Sequence, residues 1–148
     1  MANIISNLYK KDFYAWTVKN AELLRKKEFN NLDIENIAEE IESMGRSERR
    51  QIISRLVILI SHLLKWQYQE ERRGNSWLLT IKEQRRQLSK LLKENPSLKN
   101  KIEHDFKEAY EDAVLITSRD TGILEYDFPN TCIFNLQQCL DIGFFPEN

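Results

Sequence analysis

A chain of 148 residues, 41% hydrophobic and 30% charged, is long enough to bury one ordinary core and too apolar and periodic to be disordered. Its 22 basic and 23 acidic residues leave a net charge of -1, which excludes the overall basic footprint of a nucleic-acid or anionic-membrane binder. Cys132 and Cys139 form neither a CxxC pair nor a zinc pattern. No stretch reaches the about 20 apolar residues of a membrane span, and MANIISNLYKKDFYAW is not a signal peptide. A single domain over residues 1–148 with reduced thiols, no membrane contact and a cytoplasmic location is expected.

The first helix is expected from Leu8 to Lys27, with Tyr9, Phe13, Trp16, Leu23 and Leu24 on one face. The second is expected from Ile34 to Met44. Asp33 is its N-cap, Leu32 can staple against Ile37, and its apolar stripe is Ile34, Ile37, Ala38 and Ile41. Glu35, Glu39, Glu40 and Glu42 take the other side. Gly45 then ends it in the manner of a left-handed cap.

The third helix, Ser47 to Arg73, is the long one. Its middle, LVILISHLLKW, is apolar nearly all round and therefore central. Gly74 follows it. The fourth runs from Ser76 to Glu94 with Trp77, Ile81, Leu88, Leu91 and Leu92 inward. The fifth runs from Pro96 to Thr121 on the stripe Leu98, Ile102, Phe106, Ala109, Ala113 and Ile116, and Gly122 closes it. Short connections imply antiparallel neighbours. The tail from Ile123 to Asn148 is irregular, with a short helix opened by Asn135 and Gln138, and Phe128, Phe134, Phe144 and Phe145 pin it to the bundle. Strand signals are nearly absent. The expected fold is thus an all-α antiparallel bundle of about five helices.

The segments DFYAW (12–16), NIAEEIESMGRSERR (36–50), SRLVILISHLLKWQYQ (54–69), SWLLTIKEQRRQ (76–87), NPSLK (95–99) and FPNTC (128–132) together resemble domain-of-unknown-function family 29, over about residues 8 to 146. One departure is Ile133, where the family often has proline. The resemblance implies a helical fold and a cyanobacterial source. It carries no established activity, so no catalytic residue comes with it.

Several groups of residues could carry chemistry. Glu48, Arg55 and His62 recur at seven-residue spacing on the third helix. Their expected partners are Glu39 and Glu42 on the second helix and Glu83 or Arg85 on the fourth. Arg55 lies among Leu56, Ile58 and Leu59, so it is expected to be largely buried against a carboxylate. Such a cluster either fixes packing register or lines the polar pocket of an enzyme or ligand binder around Glu39, Arg55, His62 and Glu83.

Arg46, Arg49 and Arg50, with Lys82, Arg85, Arg86, Lys90 and Lys93, could grip phosphates of a nucleic acid. The acids of residues 33–42 could equally compensate the first of these clusters. Neither His62 nor His104 has the glutamate three residues earlier that a di-metal carboxylate site uses; Leu59 and Lys101 stand there. No metal or cofactor is expected, and no P-loop, GxGxxG or GxSxG occurs. By elimination the chain reads as a non-catalytic interaction module that works through a protein partner or self-association.

Overall fold

The computed structural model describes residues 2–147; Met1 and Asn148, the ends of the expected domain, lie outside them. Six α-helices follow one another: α1 Ala2–Lys11, α2 Phe13–Arg25, α3 Ile34–Tyr68, α4 Asn75–Glu94, α5 Leu98–Thr121 and α6 Leu136–Leu140. Single 3-10 turns lie at Phe29–Asn31, Glu70–Arg72 and Glu125–Asp127. Among the described residues there is no strand. The all-α bundle is as expected, but several helix boundaries differ.

The expected first helix is broken at Asp12. Its Oδ1 accepts the Ala15 amide at 3.0 Å and caps α2. The expected second and third helices are one helix of 35 residues. Gly45 does not end it, because a mid-helix glycine costs only about 1 kcal/mol relative to alanine. Gly74 is likewise no C-cap: α3 stops at Tyr68, and Gly74 stands before α4.

The chain forms two compact units, the first ending at Ser47 and the second beginning at Glu48. In the first, α2 ends in a Schellman turn: Glu28 N–H donates to Leu23 O at 2.9 Å and Lys27 N–H to Leu24 O at 3.0 Å. Lys27 takes the left-handed position, with φ at 60°. Asp33 supplies the first helical carbonyl of α3, to Ile37 N–H at 2.9 Å. Its carboxylate does something else: it accepts Trp16 Nε1–H at 2.9 Å and Asn36 Nδ2–H at 2.8 Å. Asn20 completes this buried polar set by accepting the Asp33 amide at 3.1 Å and donating to Trp16 O at 2.9 Å. The buried apolar core of this unit is Ile5, Trp16 and Leu23, with Leu8, Tyr9, Leu32 and Ile37 packed on it.

In the second unit residues 48–68 of α3 pack with α4, α5 and the tail. Two short connections reverse the chain twice, so α5 runs parallel to α3. The side-chain pairs show it: Arg49 meets Asp105, Ser61 meets Thr117 at 2.8 Å and Lys65 meets Asp120 at 3.0 Å, always some 55 or 56 residues apart. Ile52, Leu56, Leu59, Ile60 and Leu63 of α3 are fully buried against Ile81 and Leu88 of α4 and Ile102, Ala109 and Ala113 of α5. Gly122 caps α5 in the left-handed conformation, with φ at 79°. Asn135 and Gln138 form a reciprocal capping box that opens α6. Phe128 and Phe134 are buried in the same core, and Phe144 and Phe145 pack against it.

Candidate functional site

The polar line of α3 is not a pocket of converging charges. Glu48 is exposed. Arg55 is half-buried, and its Nη1 donates to the amide oxygen of Gln84 at 3.3 Å while its Nε has no acceptor among the described residues. The expected carboxylate pairing of a largely buried Arg55 is therefore corrected. Leu56 and Leu59 hold the centre of the buried stripe and leave Arg55 at its margin. His62 is half-buried, and its Nδ1 donates to Ile58 O at 2.9 Å. Burial lowers its pKa, with nearby Lys65 acting in the same direction against the Ile58 bond. Glu83 is exposed on α4. Glu39 and Glu42 are taken by Arg46 on their own helix, at 2.9 and 3.7 Å.

The buried guanidinium is that of Arg85, 2% exposed. Among the described residues it has no ion pair with a carboxylate. Its Nε donates to Cys139 O at 2.7 Å, Nη1 to Ile142 O at 3.4 Å and Nη2 to Phe144 O at 2.6 Å. The Phe145 ring lies 5.3 Å from the guanidinium carbon. Arg85 thus fastens the tail by collecting carbonyls at and beyond the C-terminal end of α6, where a cation is favoured. Desolvation lowers its pKa, yet a guanidinium stays charged. The spacing held a signal for this: Arg85 stands between Ile81 and Leu88 on the inward stripe of α4.

Sequence reasoning also missed the Lys65–Asp120 pair. The Lys65 side chain is only 11% exposed, and its hydrogen bond, with that of Arg119, lowers the Asp120 pKa.

The basic residues divide. Arg46 and Arg49 are neutralised by Glu39 and Asp105. Arg50 is exposed, as are Lys82, Arg86 and Lys90, which form a stripe along α4 beside Leu79 and Glu83. A separate groove of about 490 Å³ lies between α5 and residues 125–130, with Tyr110, Val114, Leu115 and Tyr126 in its wall. Its inner hydroxyl is already spent, because Tyr110 donates to Pro129 O at 2.6 Å and burial pushes its pKa up to about 12. Among the described residues no three His, Cys, Asp or Glu side chains converge as a metal site, and no helix is long and apolar enough to cross a membrane.

The least expected feature is the apolar stripe at the start of α3. Ile34 and Ile41 are 61% and 60% exposed, and Met44 is 62% exposed; Ala38 and Gly45 on the same face are open as well. Of the stripe read from the sequence, only Ile37 is packed inward. Phe13, Tyr14, Val18, Leu24 and Phe29 are exposed nearby in the chain, so two members of the expected first-helix face, Phe13 and Leu24, are outward too. Among the described residues, eight of the sixteen exposed large hydrophobics thus fall between residues 13 and 44. Among the described residues, Ile5, Trp16 and Leu23 are the buried apolar core of that same unit.

The model of the family Domain of unknown function DUF29 covers residues 8–145. No curated protein and no solved structure matches the chain.

Proposed function

Since the chain belongs to the DUF29 family, whose name assigns no activity, we propose from its geometry that it is a non-catalytic module that binds a protein partner through the first turns of α3. One observation carries this reading: Ile34, Ala38, Ile41 and Met44 form an apolar helix face left in water. Scattered single hydrophobics on a surface are ordinary; a contiguous face marks an interaction site. A unit of under fifty residues has little apolar surface to spare, which makes an apolar face left outside the described core of Ile5, Trp16 and Leu23 a costly feature for folding alone. Of the groups expected around a polar pocket, Glu39 is held by Arg46 on its own helix, Arg55 donates to the Gln84 amide and His62 to the Ile58 carbonyl, while Glu83 is exposed on α4.

The test is differential capture from a lysate of the source organism. The wild type and a Lys82→Glu/Arg86→Glu variant should both retain one stoichiometric protein, and Ile34→Asp/Ile41→Asp should lose it. Recovery of RNA or DNA, abolished by the α4 variant, would overturn the reading. That outcome would favour the second one, phosphate binding by the exposed Lys82, Arg86 and Lys90 stripe.

A further inference from the structure

The α3 face has a shape and a charge that together specify its occupant. Ile34, Ala38, Ile41 and Gly45 recur at intervals of four, three and four residues, the spacing of a helix-pairing seam. They span about 17 Å, or three turns, which matches a partner helix of similar length. Ala38 and Gly45 leave notches beside the two isoleucines, and nothing lies within 4 Å of where a Gly45 Cβ would sit. One edge of the seam is acidic. Glu35 and Glu42 follow the seam residues directly, Glu39 lies behind them, and residues 33–42 hold five acids and no base. Arg46 answers Glu39 and Glu42; among the described residues Glu35 has no ion pair, so the edge stays negative.

Resting on the interaction-module reading, we propose that this face takes an amphipathic helix of a different protein that carries lysine or arginine along one side of its apolar stripe. A second copy fits less well. Antiparallel self-pairing about the middle of residues 34–45 would set Ile34 against Gly45 and Ile41 against Ala38, a good steric match. It would also set Glu35 beside Glu42 of the second copy, and like charges across a helix seam repel. A basic edge removes that repulsion and supplies the attraction that steers encounter.

Two synthetic amphipathic helical peptides of equal length test this, one of leucine and lysine, the other of leucine and glutamate. Each is labelled and titrated with the full chain by fluorescence anisotropy at low and high salt. The lysine peptide should bind and the glutamate peptide should not. Ile41→Asp should weaken lysine-peptide binding about tenfold or more. Glu35→Lys/Glu42→Lys should weaken it similarly at low salt and much less at high salt, where screening acts. Leu79→Asp on α4 should leave it unchanged, and circular dichroism verifies that every variant stays helical. Equal binding of both peptides, binding of neither, or indifference to Ile41→Asp overturns the basic-helix assignment. A wild-type dimer in sedimentation that Ile41→Asp converts to monomer overturns it in favour of a second copy. Loss of a captured protein in Ile34→Asp/Ile41→Asp would still support the module reading after any of those failures, so the two claims fail separately.

Discussion

Replacing Arg85 by alanine should be among the most damaging single changes in the second unit. The side chain is almost wholly buried and makes three hydrogen bonds to tail carbonyls, two of them at 2.7 and 2.6 Å. Charged hydrogen bonds contribute about 1.5–3 kcal/mol each, and orphaned buried carbonyls cost about 1–3 kcal/mol. These terms overlap, and partial release of the tail to water recovers some of the loss, so about 3–5 kcal/mol is expected. A 148-residue chain has an unfolding entropy of about 0.3 kcal/mol/K, which turns that loss into a fall in Tm of about 10–16 °C. Arg85→Lys should rescue little, because an ammonium cannot reach three divergent carbonyls as a planar fork does. Arg55→Ala, which removes one 3.3 Å bond to Gln84, should cost about 1 kcal/mol. Thermal unfolding followed by circular dichroism, with amide exchange of residues 139–147 as the local readout, checks the order. An Arg85→Ala variant that melts with the wild type, or above Arg55→Ala, refutes the tail-fastening argument.

Three further outcomes follow from the same geometry. Asp120→Asn strands the nearly buried Lys65 ammonium and should cost about 1–2 kcal/mol in thermal unfolding, between an exposed and a buried pair because the Asp120 side chain is 35% exposed; since the folded pKa of Asp120 is depressed, its contribution is present above the ordinary carboxylate range and lost as pH falls through the folded value. His62 also has a depressed folded pKa, so its neutral form is the one the fold favours: stability should be full above the ordinary histidine value of 6.5 and decline as pH falls below it, and His62→Gln should flatten that part of a Tm-against-pH curve. Lys27→Gly relieves a left-handed residue in the α2 Schellman turn and should stabilise the first unit by about 1 kcal/mol, read by denaturant unfolding.

Much of this molecule was legible before its coordinates. Periodicity placed α4 and α5 within two residues of their observed ends, and the Asn135–Gln138 capping box and the Gly122 cap followed from local chemistry alone. Gly45 misled because glycine after an apolar run reads as a stop, whereas here α3 continues through it into the buried stripe of the second unit. Asp12 gives no visible break in the pattern, because the apolar spacing continues across it from Tyr9 to Trp16. Arg55 and Arg85 show the same limit at a site. Arg55 has the apolar neighbours in sequence and Arg85 the polar ones, Gln84 and Arg86, yet the rotation of each helix carries the Arg85 guanidinium inward and leaves Arg55 at the margin. The outward stripe of α3 was visible as a pattern; amphipathicity names a face but not what covers it.

The most direct measurement of the docking claim is thiol labelling of an Ile41→Cys variant. The two native thiols make a quiet background: burial raises Cys132 to about 11 and drives Cys139 higher still, so at neutral pH neither offers appreciable thiolate. An exposed cysteine at position 41 should react with a maleimide rapidly in the purified chain and become protected when the protein retained in the capture experiment is bound. Rapid labelling that is unchanged in the complex would contradict the claim that the α3 face is where the partner sits.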